Sequence, residues 1–152
     1  MNADEVIAAL SLEPLPEEGG MWTRIWLDDH ASAIYFLMRP GDFSAMHRLQ
    51  ATEIWHHYLG APAGMLLLRP DGSFDEPTLG KDLADGQRPC VTVLAGVWMG
   101  ASTLGDWTLV GATMAPPWDP DGFELGDRTH LAGSYPQAGD RVLELTRGHH
   151  LS

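Results

Sequence analysis

With 152 residues, 44% of them hydrophobic and 20% charged, the chain has room for a single domain around one sizeable core. A formal net charge of −12 and a pI near 4.7 exclude the basic surface that nucleic-acid phosphates require, and they disfavour anionic lipid. No apolar run approaches the roughly 20 residues that span a bilayer, and the N-terminus lacks the basic-then-apolar layout of a signal peptide, so the expected location is the cytoplasm. The 17 glycines and 11 prolines are spread along the chain, which suits many short strands joined by tight turns, and six tryptophans argue against disorder. Cys90 is the only cysteine; this excludes an intramolecular disulfide and a thiolate zinc site, and beside Pro89 it reads as a small buried hydrophobe.

In chain order, residues 2–10 predict a short helix, with Asn2 as cap, Glu5 completing a capping box, and Val6, Ile7 and Leu10 on one apolar face. A Pro-rich turn follows over 13–20. Period-2 patterning then predicts strands at 22–27, 32–38, 45–49, 53–59, 64–69, 74–79, 91–94, 97–102, 106–114 and 142–146. Turns at 39–42, 69–72 and 104–106 carry the Gly, Pro and Asp that hairpins use. The segment 115–140 is too punctuated by proline and glycine for regular structure and is expected to wrap over the sheets, anchored by Phe123-Glu124-Leu125. The tail from Arg147, with His149 and His150, reads as a frayed terminus.

The stretch from Gly41 to Gly60 carries the candidate chemistry. Gly41, His47, Glu53 and Gly60 fall at the intervals of the motif G-x5-H-x-H-x3-E-x6-G, with Leu49 in place of the second histidine. The stretch therefore resembles the first motif of the cupin superfamily, and Gly86 to Met99 falls where the second motif would lie. Ser32 to Leu37, Ser44 to Arg48, Glu53 to His56, Leu79 to Leu83, Gly86-Gln87 and Leu109 to Thr113 together are similar to the small cupins of the domain-of-unknown-function 985, or cupin 5, family, over roughly residues 10–135. The resemblance implies an all-β, double-stranded β-helix (jelly-roll barrel) behind a short N-terminal helix, with a pocket between two sheets and a homodimer as the assembly. Residues 136–152 would form a C-terminal extension to this one domain. The chain departs from the family at Arg24, where a glutamate is usual, at Met99, which replaces a glutamine, at Met21 and at Ala112.

Alternation along 53–59 places Glu53, Trp55 and His57 on one face, with Ile54, His56 and Tyr58 on the other. The cupin frame turns Glu53 to the pocket, so His47, Glu53 and His57 are the candidate catalytic groups. Trp55, Tyr35, Met99, Trp98 and Arg24 are the candidate ligand contacts. The resemblance also brings a metal into question; His47, Glu53 and His57 would be its ligands, but Leu49 and Met99 remove two of the four usual ones, so no cofactor is expected. The favoured reading is a metal-independent isomerase, epimerase or dehydratase acting on a carbonyl-bearing sugar or ketide, with His47 as base and Glu53 as its partner, and Tyr35 or Tyr58 as a possible proton return. The alternatives are a non-catalytic ligand-binding or sensor cupin and a metal-dependent enzyme. His56 and Tyr58 are expected to support the sheet or a dimer interface. Ser44, Ser102 and Ser134 lie in no nucleophile elbow, and Asp119-Pro-Asp121 lacks a calcium loop's ligands.

Overall fold

The computed structural model describes residues 1–148, so the His149-His150 pair lies outside the described residues. Helix α1 (Ala3–Leu10) starts as its sequence predicts: the Asn2 side chain accepts from the Glu5 amide at 2.9 Å and the Glu5 carboxylate accepts from the Asn2 amide at 3.2 Å. Its buried Val6 packs with Leu12, Leu37 and Leu109. Twelve strands follow: β1 (Glu13–Pro14), β2 (Met21–Leu27), β3 (Ser32–Met38), β4 (Ser44–Leu49), β5 (Glu53–Gly60), β6 (Ala63–Leu68), β7 (Phe74–Asp75), β8 (Thr78–Leu79), β9 (Cys90–Val93), β10 (Trp98–Thr103), β11 (Thr108–Met114) and β12 (Phe123–Leu125). Helices α2 (Arg128–Ser134) and α3 (Gly139–Glu144) close the described chain.

The strands form two antiparallel sheets. The first runs β1-β2-β3-β11-β5-β9 and the second β12-β4-β10-β6-β7, with β8 also pairing to β6. Side-chain alternation divides the interior in two. Phe36, Met38, Trp55, Met65, Leu67, Met99 and Val110 point between the sheets, whereas Met46, Leu66, Leu68 and Trp98 point out of the second sheet against Leu131, Val142 and Leu145 of the helical segment. β6 is therefore covered on both faces, which explains why its sequence lacks a polar stripe, and β4 is buried except at half-buried Arg48. Burying each of these large side chains is worth roughly 1.5–3 kcal/mol.

Four expectations need correction. The strand predicted at 74–79 is two short strands, because Pro77 has no amide to donate and interrupts the ladder. Residues 142–146 are not a strand: Val142 and Leu145, three apart, are fully buried on one face of α3 and its C-terminal turn, while Leu143 is exposed. The segment 115–140 holds more regular structure than its prolines suggest. β12 pairs with β4, as the proposed Phe123-Glu124-Leu125 anchor requires, and α2 is capped by Asp127, whose carboxylate accepts from the His130 amide at 2.8 Å. Cys90 is exposed rather than buried, and its Sγ lies 3.4 Å from Nδ1 of His56. No helix among the described residues is long and apolar enough to cross a membrane.

Candidate functional site

A cavity of about 140 Å³ opens between the sheets. Trp22 and Arg24 of β2, Ile34 and Phe36 of β3, Glu53 and Trp55 of β5 and Val110, Ala112 and Met114 of β11 form one wall. Ser44, His47 and Leu49 of β4 face them, and Leu15, Glu18, Ser32 and Trp118 complete the lining. Of the residues the sequence singled out, His47, Glu53, Trp55 and Arg24 thus share one cavity, and Leu49 stands on its wall.

His47 is 3% exposed and held on two sides. Its ring stacks on Phe123, centroids 5.6 Å apart, because β12 lies beside β4. Its Nδ1 lies 2.7 Å from the Ala45 carbonyl oxygen. A carbonyl only accepts, so Nδ1 carries a proton, and Nε2 holds the lone pair whenever the ring is neutral. That nitrogen lies 3.9 Å from Oε2 of Glu18. Glu18 is the residue that sequence reasoning missed. It arrives on the strap between β1 and β2, where Glu17, Gly19 and Gly20 adopt positive φ, and its carbonyl accepts from the Ala45 amide at 2.8 Å. The Pro-Glu-Glu-Gly-Gly run marks the turn, but nothing in its spacing shows which glutamate folds inward.

Glu53 is buried, and its Oε1 accepts from Nε1 of Trp55 at 2.8 Å. Burial pushes its carboxyl up from 4.5 to about 7; the His47 charge acts the other way, Glu18 reinforces the rise, and the Trp55 hydrogen bond opposes it. Near neutral pH this group therefore holds its proton for much of the time.

The remaining candidates lie elsewhere. His57 faces inward but does not line the cavity: Nε2 donates to the Ala61 carbonyl at 3.0 Å and the buried Nδ1 has no hydrogen-bond partner among the described residues. Four residues at about 3.3 Å each put it about 13 Å along the strand from Glu53. Tyr35 points to the outer face and meets Tyr58 edge to face at 5.9 Å. Trp98 and Met99 are adjacent, so they cannot share a face. Trp98 packs outward beneath the Arg48 guanidinium, 4.5 Å from its ring, and Met99 is sunk in the inner cluster off the cavity wall.

The family-model match settles what this frame is: the chain matches the model described as Cupin superfamily (DUF985) over residues 4–126. The chain belongs to that cupin family. A solved protein from Shewanella oneidensis shares 34% identity, covering 98% of this chain and 99% of its own, with a TM-score of 0.92. A hypothetical protein from Leishmania major is 23% identical, with coverage of 96% and 99% and a TM-score of 0.88. A cupin 2 conserved barrel domain protein from Rhodopseudomonas palustris, 14% identical with a TM-score of 0.61 over 88% and 83% of the two chains, shows the shared fold alone. No curated protein matches the chain. The cupin barrel, a double-stranded β-helix, is thus the architecture that the two sheets build.

Cupins commonly hold a metal through three histidines and a glutamate, and this chain's donors do not fit that cage. Leu49 and Met99 occupy two of the positions, His57 lies about 13 Å along β5 from Glu53, and among the described residues no three His, Cys, Asp or Glu side chains are placed to hold one ion.

Proposed function

We propose that the cavity of this small-molecule-binding cupin takes a carbonyl compound and that His47 and Glu53 perform acid–base chemistry on it, as an isomerase, epimerase or dehydratase does. Nε2 of His47 removes a proton alpha to the carbonyl, and the Glu53 carboxyl gives its own proton to the carbonyl oxygen, leaving an enol. The His47 imidazolium then returns its proton, to the former carbonyl carbon of an enediol in an isomerisation or to a departing β-hydroxyl, lost as water, in a dehydration, while Glu53 takes back a proton from an enol oxygen. Glu18, 3.9 Å from Nε2, stabilises the imidazolium between the two steps. This changes the role of Glu53 from the partner of the base to the acid opposite it. The observation that supports the reading is the pairing, in one cavity, of an imidazole whose Nδ1 is committed to Ala45 with a carboxyl that retains its proton near neutral pH.

Proton exchange in deuterated buffer tests this. Candidate sugars and oxo compounds are incubated with the protein, and the α-proton signal is followed by NMR. Catalysed exchange in the wild type, falling roughly a hundredfold or more in His47→Gln, is expected; exchange untouched by that substitution would sink the reading. A second reading, a non-catalytic binding cupin, draws on the mostly apolar lining from Leu15, Ile34, Phe36 and Val110. A ligand that raises the melting temperature and is recovered with its α-protons intact would favour it. A homodimer is part of the same proposal. Exposed Trp26 and Ile54 on the outer face of the first sheet support it, and sedimentation equilibrium tests it.

A further inference from the structure

We infer that the ligand of this cavity carries a carboxylate, bound by Arg24, on a flat apolar body: an aryl or branched-alkyl 2-oxo acid. The inference rests on the cavity being the ligand site proposed above and names the class of compound it selects.

Arg24 occupies an unusual place. Trp22 and Arg24 alternate onto the inward face of β2, opposite Phe36 and Ile34 of β3, and all four line the cavity. Arg24 is exposed at the rim of this lining, so its guanidinium stands within reach of a ligand entering over the apolar Trp22 and Ile34. The chain has nine basic residues against 21 acidic ones. Four of the other eight pair with carboxylates, and four donate to carbonyl or hydroxyl oxygens. Arg24 does neither among the described residues. Its contact is with the face of the Trp22 ring, 5.7 Å from guanidinium carbon to ring centroid, which holds the group in place while leaving its donors free.

The two carboxylates of the cavity already have partners. Glu18 faces Nε2 of His47, and Glu53 accepts from Trp55. Neither carboxylate pairs with Arg24, whose guanidinium donors stay open, and a guanidinium fork matches a carboxylate with two parallel hydrogen bonds. Trp22, Phe36 and Trp118 supply flat apolar walls for the rest of the molecule. A 2-oxo acid sets its carbonyl beside the carboxylate, and the cavity that Arg24 lines also holds His47 and Glu53.

Phenylpyruvate, its methyl ester and phenethylamine separate the possibilities when binding is measured by calorimetry to the wild type, Arg24→Gln and Arg24→Lys. The acid is expected to bind roughly tenfold or more tighter than the ester, as a charge-assisted pair allows. Arg24→Gln should erase that preference without changing ester affinity or the melting temperature, and Arg24→Lys should restore part of it. The inference is overturned if the preference survives Arg24→Gln, if the ester or the amine binds as well as the acid, or if neither phenylpyruvate nor a branched-alkyl 2-oxo acid binds. The acid–base reading fails separately: Arg24-dependent binding without catalysed α-proton exchange leaves the carboxylate site standing, and Arg24-independent exchange of the ester does the reverse.

Discussion

Glu53 and His57 project from the same face of β5, yet one meets a cavity and the other is sealed into packed protein. The difference comes from what covers each end of the strand. At the Glu53 end the strap bearing Glu18 and the loop bearing Trp118 arch over the sheets and leave space beneath them. At the His57 end, Gly60 with φ +80 turns the chain back so that the Ala61 carbonyl accepts directly from the imidazole. Alternation therefore fixes the face a side chain takes, while its depth along the strand depends on distant segments. A titratable side chain can thus line a cavity at one position and be packed away four residues on.

The comparison is broken most severely by Trp55→Ala. The side chain is 3% exposed, meets Phe36 edge to face at 6.4 Å and carries the donor to Glu53, so a loss of about 3–5 kcal/mol is expected in urea denaturation. A loss under 1 kcal/mol would show that the cavity wall tolerates collapse.

Next in size is the pH dependence of stability. With the Glu53 carboxyl raised from 4.5 to about 7, the folded state holds a proton that the unfolded state has released throughout that window. Stability present below pH 4.5 is then lost as pH rises towards 7, by on the order of 3 kcal/mol. Glu53→Gln should flatten this decline in denaturation series between pH 4.5 and 8. An unchanged slope would place the cost of burial elsewhere.

The smallest effect is expected at His57→Leu. The substitution removes the orphaned Nδ1 together with one hydrogen bond, and the Ala61 carbonyl still accepts from Oγ1 of Thr108 at 2.9 Å. Stability should change by no more than about 1 kcal/mol, and α-proton exchange should be unaltered. A loss of exchange matching that of His47→Gln would return His57 to the site.

The strands were legible in the sequence because alternation and turn residues agree along 32–38, 53–59 and 106–114. The motif spacing placed His47 opposite Glu53. What alternation could not reveal was a matter of period or of distance. Val142-Leu-Glu-Leu145 fits a period of two as well as one turn of helix, and only burial against Met46 and Trp98 decides between them. Trp98 and Met99 could not both face inward, a point the sequence itself contained. The approach of Glu18 to His47 depends on how a glycine-rich strap folds across the barrel mouth, and no periodicity reports that.

The most direct measurement is the carboxyl-carbon NMR titration of Glu53 in the wild type and in His47→Gln. A midpoint near 7, moving higher when the neighbouring imidazole is removed, is the expected result, because burial raises this carboxyl and the His47 charge restrains it. A midpoint near 4.5 in both proteins would mean that Glu53 is an ordinary carboxylate, and the acid opposite His47 would be gone.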